Sequence, residues 1–211
     1  NIYMTKKKNI LIIGSGTFAN NLKNSLKDYS NNLKFLGFVK KNKNAKYNEN
    51  NLNKIDKKTC LINGIGNFSK KNYSLIFAKY FKNNFKFISL KNKSAKIYNN
   101  VKIGKGSIIS EYVLIKSEVK IGKLCLINSR AIVSHNTTIG DYSNISLGVI
   151  IAGNCKIGKN TMIGMGAKII NNRKIGNNVI VGAGTIVTKD IPSNSKAYGK
   201  PMKIIKRNEL K

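Results

Sequence analysis

The sequence predicts a small α/β unit followed by a parallel β-helix of about five coils. Two patterns carry this prediction. Isoleucine or valine stands at every sixth position from Ile97 to Val187, sixteen positions in all. A strand, a glycine loop and a helical stretch follow one another over residues 9–28. The six-residue period does not fit an α-helix, whose apolar face repeats every 3.6 residues.

A longer period of 18 residues overlies the six-residue one. The pair Ile-Gly begins at Ile103, Ile121, Ile139, Ile157 and Ile175. Three hexapeptides therefore form one coil with three faces, and the aliphatic residue of each points inward. Stacked strands lie about 4.8 Å apart, so each coil pairs with the next through its backbone. We assign residues 93–211 to this unit, with a C-terminal tail.

Residues 1–92 form the predicted α/β unit, which is Rossmann-like. The expected strands are 9–13, 34–39, 60–63 and 85–90, and the expected helices run to about residue 28 and over 71–82. This order of β-α-β units is typical of a small parallel sheet. Residues 41–58 are rich in Lys and Asn, so we expect a mobile loop there.

The glycine loop between the first strand and the first helix is a candidate phosphate site. Its pattern is Gly14-x-Gly16-x-x-Ala19, which lets a backbone approach phosphates at a helix N-terminus. An NAD site would place an acidic residue at the end of the second strand, where this chain has Lys40. A nucleotide diphosphate is therefore the better interpretation, and a tight turn without ligand is the alternative.

Composition excludes several classes of site. The chain has one His and three Cys, so a site with two or more histidines and a disulfide scaffold are excluded, and no metal is expected. The 39 basic residues against 8 acidic ones give a net charge of +31, which suggests nucleic-acid binding. Only three of the basic residues are Arg and the charge is spread along the chain, so a nucleic-acid-binding scaffold is the less favoured alternative. No apolar run is long enough for a membrane helix and no signal peptide is evident, so we expect a cytoplasmic protein.

The two halves together resemble the bacterial nucleotide-sugar acetyltransferases that are grouped with the sialic acid O-acetyltransferase family. The resemblance runs over about residues 7–205. Its motifs are the Gly14–Gly16 loop, Gly37-Phe38-Val39, Ile65-Gly66-Asn67, Asn128 with His135 seven positions later, Ala152-Gly153-Asn154, and Gly199-Lys200-Pro201-Met202-Lys203. It implies a left-handed β-helix and a homotrimer with active sites between subunits.

The resemblance also implies an activity. Such enzymes use acetyl-CoA to acetylate the amine of a UDP-, GDP- or dTDP-linked 4-amino-sugar for bacterial glycan biosynthesis. O-acetylation of a sugar hydroxyl, as on sialic acid, is the alternative. Neither the nucleotide nor the sugar follows from the sequence.

His135 is the candidate general base, because imidazole is the side chain best suited to exchange a proton near neutral pH, and the chain has only this one. Gly153 lies 18 residues later, so its N–H is a candidate to stabilise an oxyanion beside the ring. The family usually follows its histidine with a carboxylate, where this chain has Asn136. Glu118 should stack one coil beneath Asn136, and we therefore consider it as an alternative residue to orient His135.

The remaining candidates fall into two groups. For the nucleotide-sugar they are Gly14, Ser15, Gly16, Thr17, Phe18, Lys40, Gly66, Asn67 and Asn128. For acetyl-CoA they are Asn144, Gly153, Gly164, Gly182, Ala183, Lys200 and Lys203. Cys125 and Cys155 occupy the small repeat position, so we expect them in the core rather than as nucleophiles.

Overall fold

The computed structural model describes residues 7–42, 44–66 and 73–206. The chain divides into two compact units, Asn1–Leu90 and Lys91–Lys211, where we had predicted the boundary after residue 92. Within the described residues, no helix is long and apolar enough to cross a bilayer.

The first unit is built on a four-stranded parallel sheet with the strand order β3-β2-β1-β4. Its strands are β1 (Lys8–Ile13), β2 (Leu33–Lys40), β3 (Tyr47–Asn48) and β4 (Cys60–Asn63). The central strand β1 is an apolar run, and Ile10, Leu11 and Ile12 are fully buried. A run that is buried on both faces is typical of a parallel sheet.

Short helices accompany this sheet. They are α1 (Thr17–Asn24), α2 (Leu26–Tyr29), a 3-10 turn (Leu52–Lys54) and α3 (Tyr73–Lys82). The single helix expected to residue 28 is divided at Ser25, whose hydroxyl donates to the Asn21 carbonyl at 3.1 Å. Serine competes in this way with the helical backbone pattern.

Two expectations for the first unit were wrong. A strand was expected over 85–90, but residues 85–89 form no continuous strand and are joined to β4 by one isolated bridge between Leu61 and Phe87. The segment 41–58 is not a loose loop, since it contains β3 and the 3-10 turn. Leu52 and Ile55 are buried, and Glu49 forms an ion pair with Lys79 of α3. The Lys and Asn content of the segment does not predict these buried residues or this ion pair.

The second unit is a three-faced parallel solenoid, as predicted. Seventeen two-residue strands lie within the described residues 90–187. Face 1 consists of Lys102–Ile103, Lys120–Ile121, Thr138–Ile139, Lys156–Ile157 and Lys174–Ile175. Face 2 consists of Leu90–Lys91, Ile108–Ile109, Leu126–Ile127, Asn144–Ile145, Met162–Ile163 and Ile180–Val181. Face 3 consists of Lys96–Ile97, Leu114–Ile115, Ile132–Val133, Ile150–Ile151, Lys168–Ile169 and Ile186–Val187.

The register of the solenoid follows the 18-residue period. Ile139 pairs with Ile121 on one side and with Ile157 on the other. The repeated aliphatic side chains form one continuous core, and burying each contributes about 1.5–3 kcal/mol. The solenoid has nearly six coils rather than five, because Leu90–Lys91 adds a strand. The aliphatic pattern did not predict this strand, since Lys91 stands where the other strands have isoleucine or valine. A final hairpin, Ser195–Tyr198 with Lys203–Lys206, extends face 2.

Asparagines shape many corners of the solenoid. Asn136, Asn154 and Asn172 follow one another on the corner after face 3, with φ values of 56°, 60° and 62°. Asparagine tolerates this left-handed conformation better than other residues with a side chain. Part of the asparagine content of the chain therefore serves the turns.

The outer sides of the three faces differ in chemistry. The outward positions of face 1 are polar, and four of its five are lysines: Lys102, Lys120, Thr138, Lys156 and Lys174. The outward positions of face 3 include four aliphatic residues: Leu114, Ile132, Ile150 and Ile186. Ile150 and Ile186 are 39% and 40% exposed. Four of the six outward positions of face 3 are therefore aliphatic, and the other two are Lys96 and Lys168.

Candidate active site

His135 lies on the corner between face 3 and face 1, two residues after the buried Val133. The hexapeptide pattern turns Val133 inward and leaves the imidazole exposed. The ring is thus presented on the outside of a rigid stack of coils. Such support holds a functional side chain more precisely than a loop would.

Gly153 lies directly over this ring, as the 18-residue period predicts. The N–H of Asn154 donates to the carbonyl of His135 at 2.9 Å, which joins the two coils at this corner. A Cβ atom on Gly153 would lie 2.6 Å from both Cε1 and Nε2 of His135. Only glycine leaves room for the imidazole in its observed position.

The N–H of Gly153 makes no hydrogen bond within the described part of the chain. The same position on the corner after face 1 is capped: Lys123 N–H donates to Asp141 Oδ1 at 3.0 Å, and Lys159 N–H donates to Asn177 Oδ1 at 2.8 Å. A free N–H beside an imidazole is suited to stabilise a negatively charged oxygen.

Asn136 is the side chain that contacts the other edge of the ring. Its amide lies 3.4 Å from Nδ1 of His135. An amide can present either its NH₂ group or its oxygen. When the oxygen accepts a hydrogen bond from Nδ1–H, the lone pair of Nε2 is free to take a proton.

Glu118, the alternative candidate to orient His135, is engaged with a different residue. Its carboxylate accepts a hydrogen bond from Nδ2 of Asn100 at 2.8 Å, one coil further from the ring. No hydrogen bond joins Glu118 to His135 within the part of the chain that the structure describes. The position of Glu118 in the stack of coils therefore does not set the direction of its side chain, which follows the donor Asn100 on the preceding coil.

Asn144 lies in a strand of face 2, and Asn128 lies on the corner that follows face 2. Both are away from the corner that carries His135. The Nδ2 group of Asn128 donates to Oδ1 of Asn144 at 2.9 Å and to the Ile145 carbonyl at 3.3 Å. Asn144 is buried. We had assigned the two to different ligands, whereas the structure joins them in one amide pair.

The glycines expected beside acetyl-CoA lie on a different corner from His135. Gly164, Gly182 and Ala183 follow strands of face 2, and His135 follows a strand of face 3. Within one chain the structure therefore does not bring these two groups together. The final hairpin lies beside them, because a Cβ on Gly182 would be 3.0 Å from Cβ of Tyr198. Lys200 and Lys203 are exposed in that hairpin.

In the first unit, two glycine segments meet at the carboxyl edge of the sheet. Gly14 has a φ of +91°, and a Cβ there would lie 3.4 Å from the Gly64 carbonyl oxygen. A Cβ on Gly66 would lie 2.8 Å from Cβ of Phe18. Gly14 N–H donates to the Val39 carbonyl at 2.9 Å, which places the loop beside the end of β2. Asn67 lies outside the described residues.

The start of α1 is open to a ligand. No side chain caps its N-terminus at Gly16, and its first turn carries no acidic residue. Ser15 and Gly16 are exposed and Thr17 begins the helix. Free N–H groups at such a terminus favour a phosphate.

The end of β2 carries a pocket that the sequence did not reveal. It has a volume of about 290 Å³, and its lining includes Phe38, Lys40 and Tyr47. Lys40 lies over Phe38, with its Nζ 5.9 Å from the ring centroid. In the sequence, the signal for this pocket was Tyr47, an aromatic residue within a segment of Lys and Asn.

Cys125 and Cys155 are not candidate nucleophiles. Burial raises the pKa of Cys125 to about 12 and also raises the pKa of Cys155. Among the described residues, no group of three or more His, Cys, Asp or Glu could hold a metal ion.

Comparisons with known proteins agree with this architecture. The family description "Bacterial transferase hexapeptide (six repeats)" matches residues 154–189. No curated protein matches the chain. The acetyltransferase domain of PglB from Neisseria gonorrhoeae FA1090 matches with a TM-score of 0.79 and 22% identity, over 94% of this chain and 100% of that one. It has also been solved with acetyl coenzyme A.

Two further solved structures extend the comparison. PerB from Caulobacter crescentus, in complex with CoA and GDP-perosamine, matches with a TM-score of 0.81 and 25% identity over 93% of this chain and 97% of that one. WeeI from Acinetobacter baumannii AYE matches with a TM-score of 0.76 and 22% identity over 94% of this chain and 100% of that one. The chain thus carries a transferase-type hexapeptide repeat on the fold that these proteins share.

Proposed function

We propose that this chain is an acetyl-CoA-dependent N-acetyltransferase that acts on the amine of a nucleotide-linked 4-amino-sugar. The observation that carries the proposal is the exposed His135 imidazole over Gly153, on a hexapeptide solenoid. Similar structures include a mutant of GDP-perosamine N-acetyltransferase from Caulobacter crescentus, solved in complex with CoA and GDP-perosamine. We also propose membership of the sialic acid O-acetyltransferase family, on the motifs given above.

The proposed reaction is a direct acyl transfer. Nε2 of His135 takes a proton from the sugar amine, whose lone pair attacks the thioester carbonyl of acetyl-CoA. The carbonyl oxygen becomes negatively charged and accepts a hydrogen bond from the Gly153 N–H. Collapse of this adduct breaks the C–S bond and expels the CoA thiolate, which receives the proton from the imidazolium. The step needs no metal.

The substrate phosphates are proposed to lie at the glycine loop of the first unit. The uncapped start of α1 at Gly16 supplies backbone N–H groups, and Lys40 adds positive charge at the same sheet edge. The net charge of +31 would also steer an anionic substrate toward the protein. We propose that the enzyme acts in the cytoplasm, where acetyl-CoA is available.

We propose that the active protein is a homotrimer. The exposed aliphatic residues of face 3 continue onto the corner after face 2, where Leu147 and Met165 are 49% and 56% exposed. Such a contiguous apolar surface is suited to another copy of the chain. A neighbour could also bring Gly164, Gly182 and Ala183 to the His135 corner, from which they are separated within one chain.

The test is release of CoA from acetyl-CoA in the presence of UDP-, GDP- and dTDP-linked 4-amino-sugars, with sialic acid as the comparison substrate. Turnover with an amino-sugar supports the proposal. Turnover with sialic acid alone would favour O-acetylation of a hydroxyl. Duplex binding that survives about 150 mM salt, without CoA affinity, would favour a nucleic-acid scaffold.

A further inference from the structure

We propose that a pocket on the corner after face 2 of the solenoid binds the sugar ring of the substrate. The inference rests on the proposed function, because it concerns the amino-sugar that this function acetylates. The volume of the pocket is about 510 Å³, within the usual range for small-molecule sites. Its lining residues are Glu111, Tyr112, Ser129, Arg130, Leu147 and Gly148.

The pocket holds a carboxylate and a guanidinium that do not pair with each other. The Ser129 hydroxyl donates to Oε2 of Glu111 at 2.5 Å and fixes this carboxylate, which keeps further acceptor sites for a ligand. Among the described residues, no ion pair engages Glu111 or Arg130. In a chain with 39 basic residues and 8 acidic ones, a carboxylate without a cationic partner is unexpected. It therefore points to a ligand.

Two of the lining side chains stand where the backbone favours glycine. Tyr112 and Arg130 have φ values of 55° and 61°. The equivalent positions of the next three coils are glycines with positive φ, namely Gly148, Gly166 and Gly184. A side chain in this conformation costs free energy relative to glycine. We infer that the tyrosine and the arginine serve a ligand rather than the stability of the turn.

These groups match the chemistry of a sugar ring. The carboxylate of Glu111 accepts hydrogen bonds from sugar hydroxyls, and the guanidinium of Arg130 donates to their oxygens. The exposed ring of Tyr112 offers a flat surface to the apolar C–H face of a pyranose, and Leu147 adds an apolar wall. Because Glu111 opposes the binding of a phosphate, the pocket favours the sugar over the phosphates of the nucleotide or of CoA.

The pocket lies at the same height on the solenoid as His135. Ser129 precedes His135 by six residues on the same coil, and the rest of the lining lies on this coil or on the coils directly before and after it. Within one chain, face 3 separates the two corners. Aliphatic residues occur along the length of face 3, so we expect copies of the chain to pack side by side with their coils level. The pocket of one copy then faces His135 of the next.

The corner after face 2 changes character on the coils that follow. A Cβ on Gly148 or Gly166 would meet no other atom within 4 Å, so the corner is open there. Gly164, Gly182 and Ala183, the candidates for acetyl-CoA, lie on these later coils. The sugar therefore reaches the imidazole from the side of the earlier coils, and the thioester reaches it from the side of the later ones.

The experiment is steady-state kinetics with acetyl-CoA and the nucleotide-linked amino-sugar that the wild-type protein acetylates. In Glu111→Gln we expect KM for the amino-sugar to rise about tenfold with KM for acetyl-CoA unchanged, because a charge-assisted hydrogen bond becomes a neutral one. Glu118→Gln makes the same chemical change on another corner and should leave both constants unchanged. Tyr112→Gly should also raise KM for the amino-sugar, without lowering the melting temperature, since glycine suits the left-handed turn.

A mixing experiment tests whether the pocket serves His135 of another copy. Chains with His135→Ala are co-expressed with chains that carry both Tyr112→Gly and Arg130→Gly. If each site takes its imidazole from one copy and its pocket from the next, about one site in four of a random mixture has both intact. We therefore expect about a quarter of the wild-type kcat/KM for the amino-sugar. A site within one chain would give no more than about half the low value of the pocket variant alone.

Each outcome bears on the inference. An unchanged KM for the amino-sugar in Glu111→Gln or in Tyr112→Gly would overturn it, and so would an equal rise in Glu118→Gln or a rise in KM for acetyl-CoA instead. Mixed chains that do not exceed the pocket variant would overturn it as well. In all these cases, turnover by the wild-type protein would leave the proposed acetyltransferase intact. Absence of wild-type turnover with every amino-sugar would refute the proposed function and, with it, the sugar pocket.

Discussion

The contact between His135 and Gly153 gives the sharpest prediction. In Gly153→Ala the new Cβ would lie 2.6 Å from Cε1 and Nε2 of the ring, where carbon atoms normally approach to about 3.5–4.0 Å. The imidazole must therefore move by about 1 Å. Because the ring is exposed, it can move without unfolding the coil.

The backbone makes this substitution selective. Gly153 is not among the residues with positive φ, and Asn154 takes the left-handed position of the turn. Alanine can therefore adopt the backbone conformation of Gly153, and the substitution displaces the His135 ring. A misplacement of about 1 Å can cost about 10² in rate. We expect kcat to fall by about that factor, with little change in KM for acetyl-CoA and little change in the melting temperature.

The assay is CoA release followed with a thiol reagent, at saturating amino-sugar. Asn171→Ala is the matched control, because Asn171 occupies the same corner position one coil later and should not affect kcat. Wild-type kcat in folded Gly153→Ala would refute the proposed role of this contact.

The remaining predictions concern the same corner and the thiols. His135→Ala should lower kcat by about 10²–10⁴ with small changes in affinity, and near-normal turnover would remove the imidazole from the mechanism. Asn136→Ala should slow turnover, because it removes the amide beside Nδ1 of His135. Glu118→Gln should leave turnover unchanged, because Glu118 bonds to Asn100. The opposite result for the two variants in the same kinetic assay would indicate that Glu118 orients His135. Iodoacetamide at neutral pH should neither label Cys125 nor inactivate the native enzyme, since burial raises the pKa of that thiol to about 12; labelling measured by mass spectrometry would contradict this.

Periodicity predicted the solenoid well because its physical basis is local and repeated. Every sixth residue must enter the core, and every eighteenth residue stacks on its predecessor. The position of Gly153 over His135 followed from this register. The strand Leu90–Lys91 escaped the pattern because Lys91, which is exposed, stands where the later repeats carry isoleucine or valine.

The first unit was predicted less completely. Its main strands and the glycine loop were evident from apolar runs and glycine spacing. The segment 41–58 was misjudged because Leu52 and Ile55, two apolar residues among many polar ones, hold it in place. The pocket beside Tyr47 depends on how this segment returns to the edge of β2.

By itself, the sequence determined the coil register, the three faces and the exposure of the lone imidazole, since these depend on spacing along the chain. Only the tertiary structure decided that Glu118 bonds to Asn100 and that Asn136 lies against His135. Spacing fixes where a backbone passes, whereas the direction of a side chain depends on the partner that it finds on neighbouring coils.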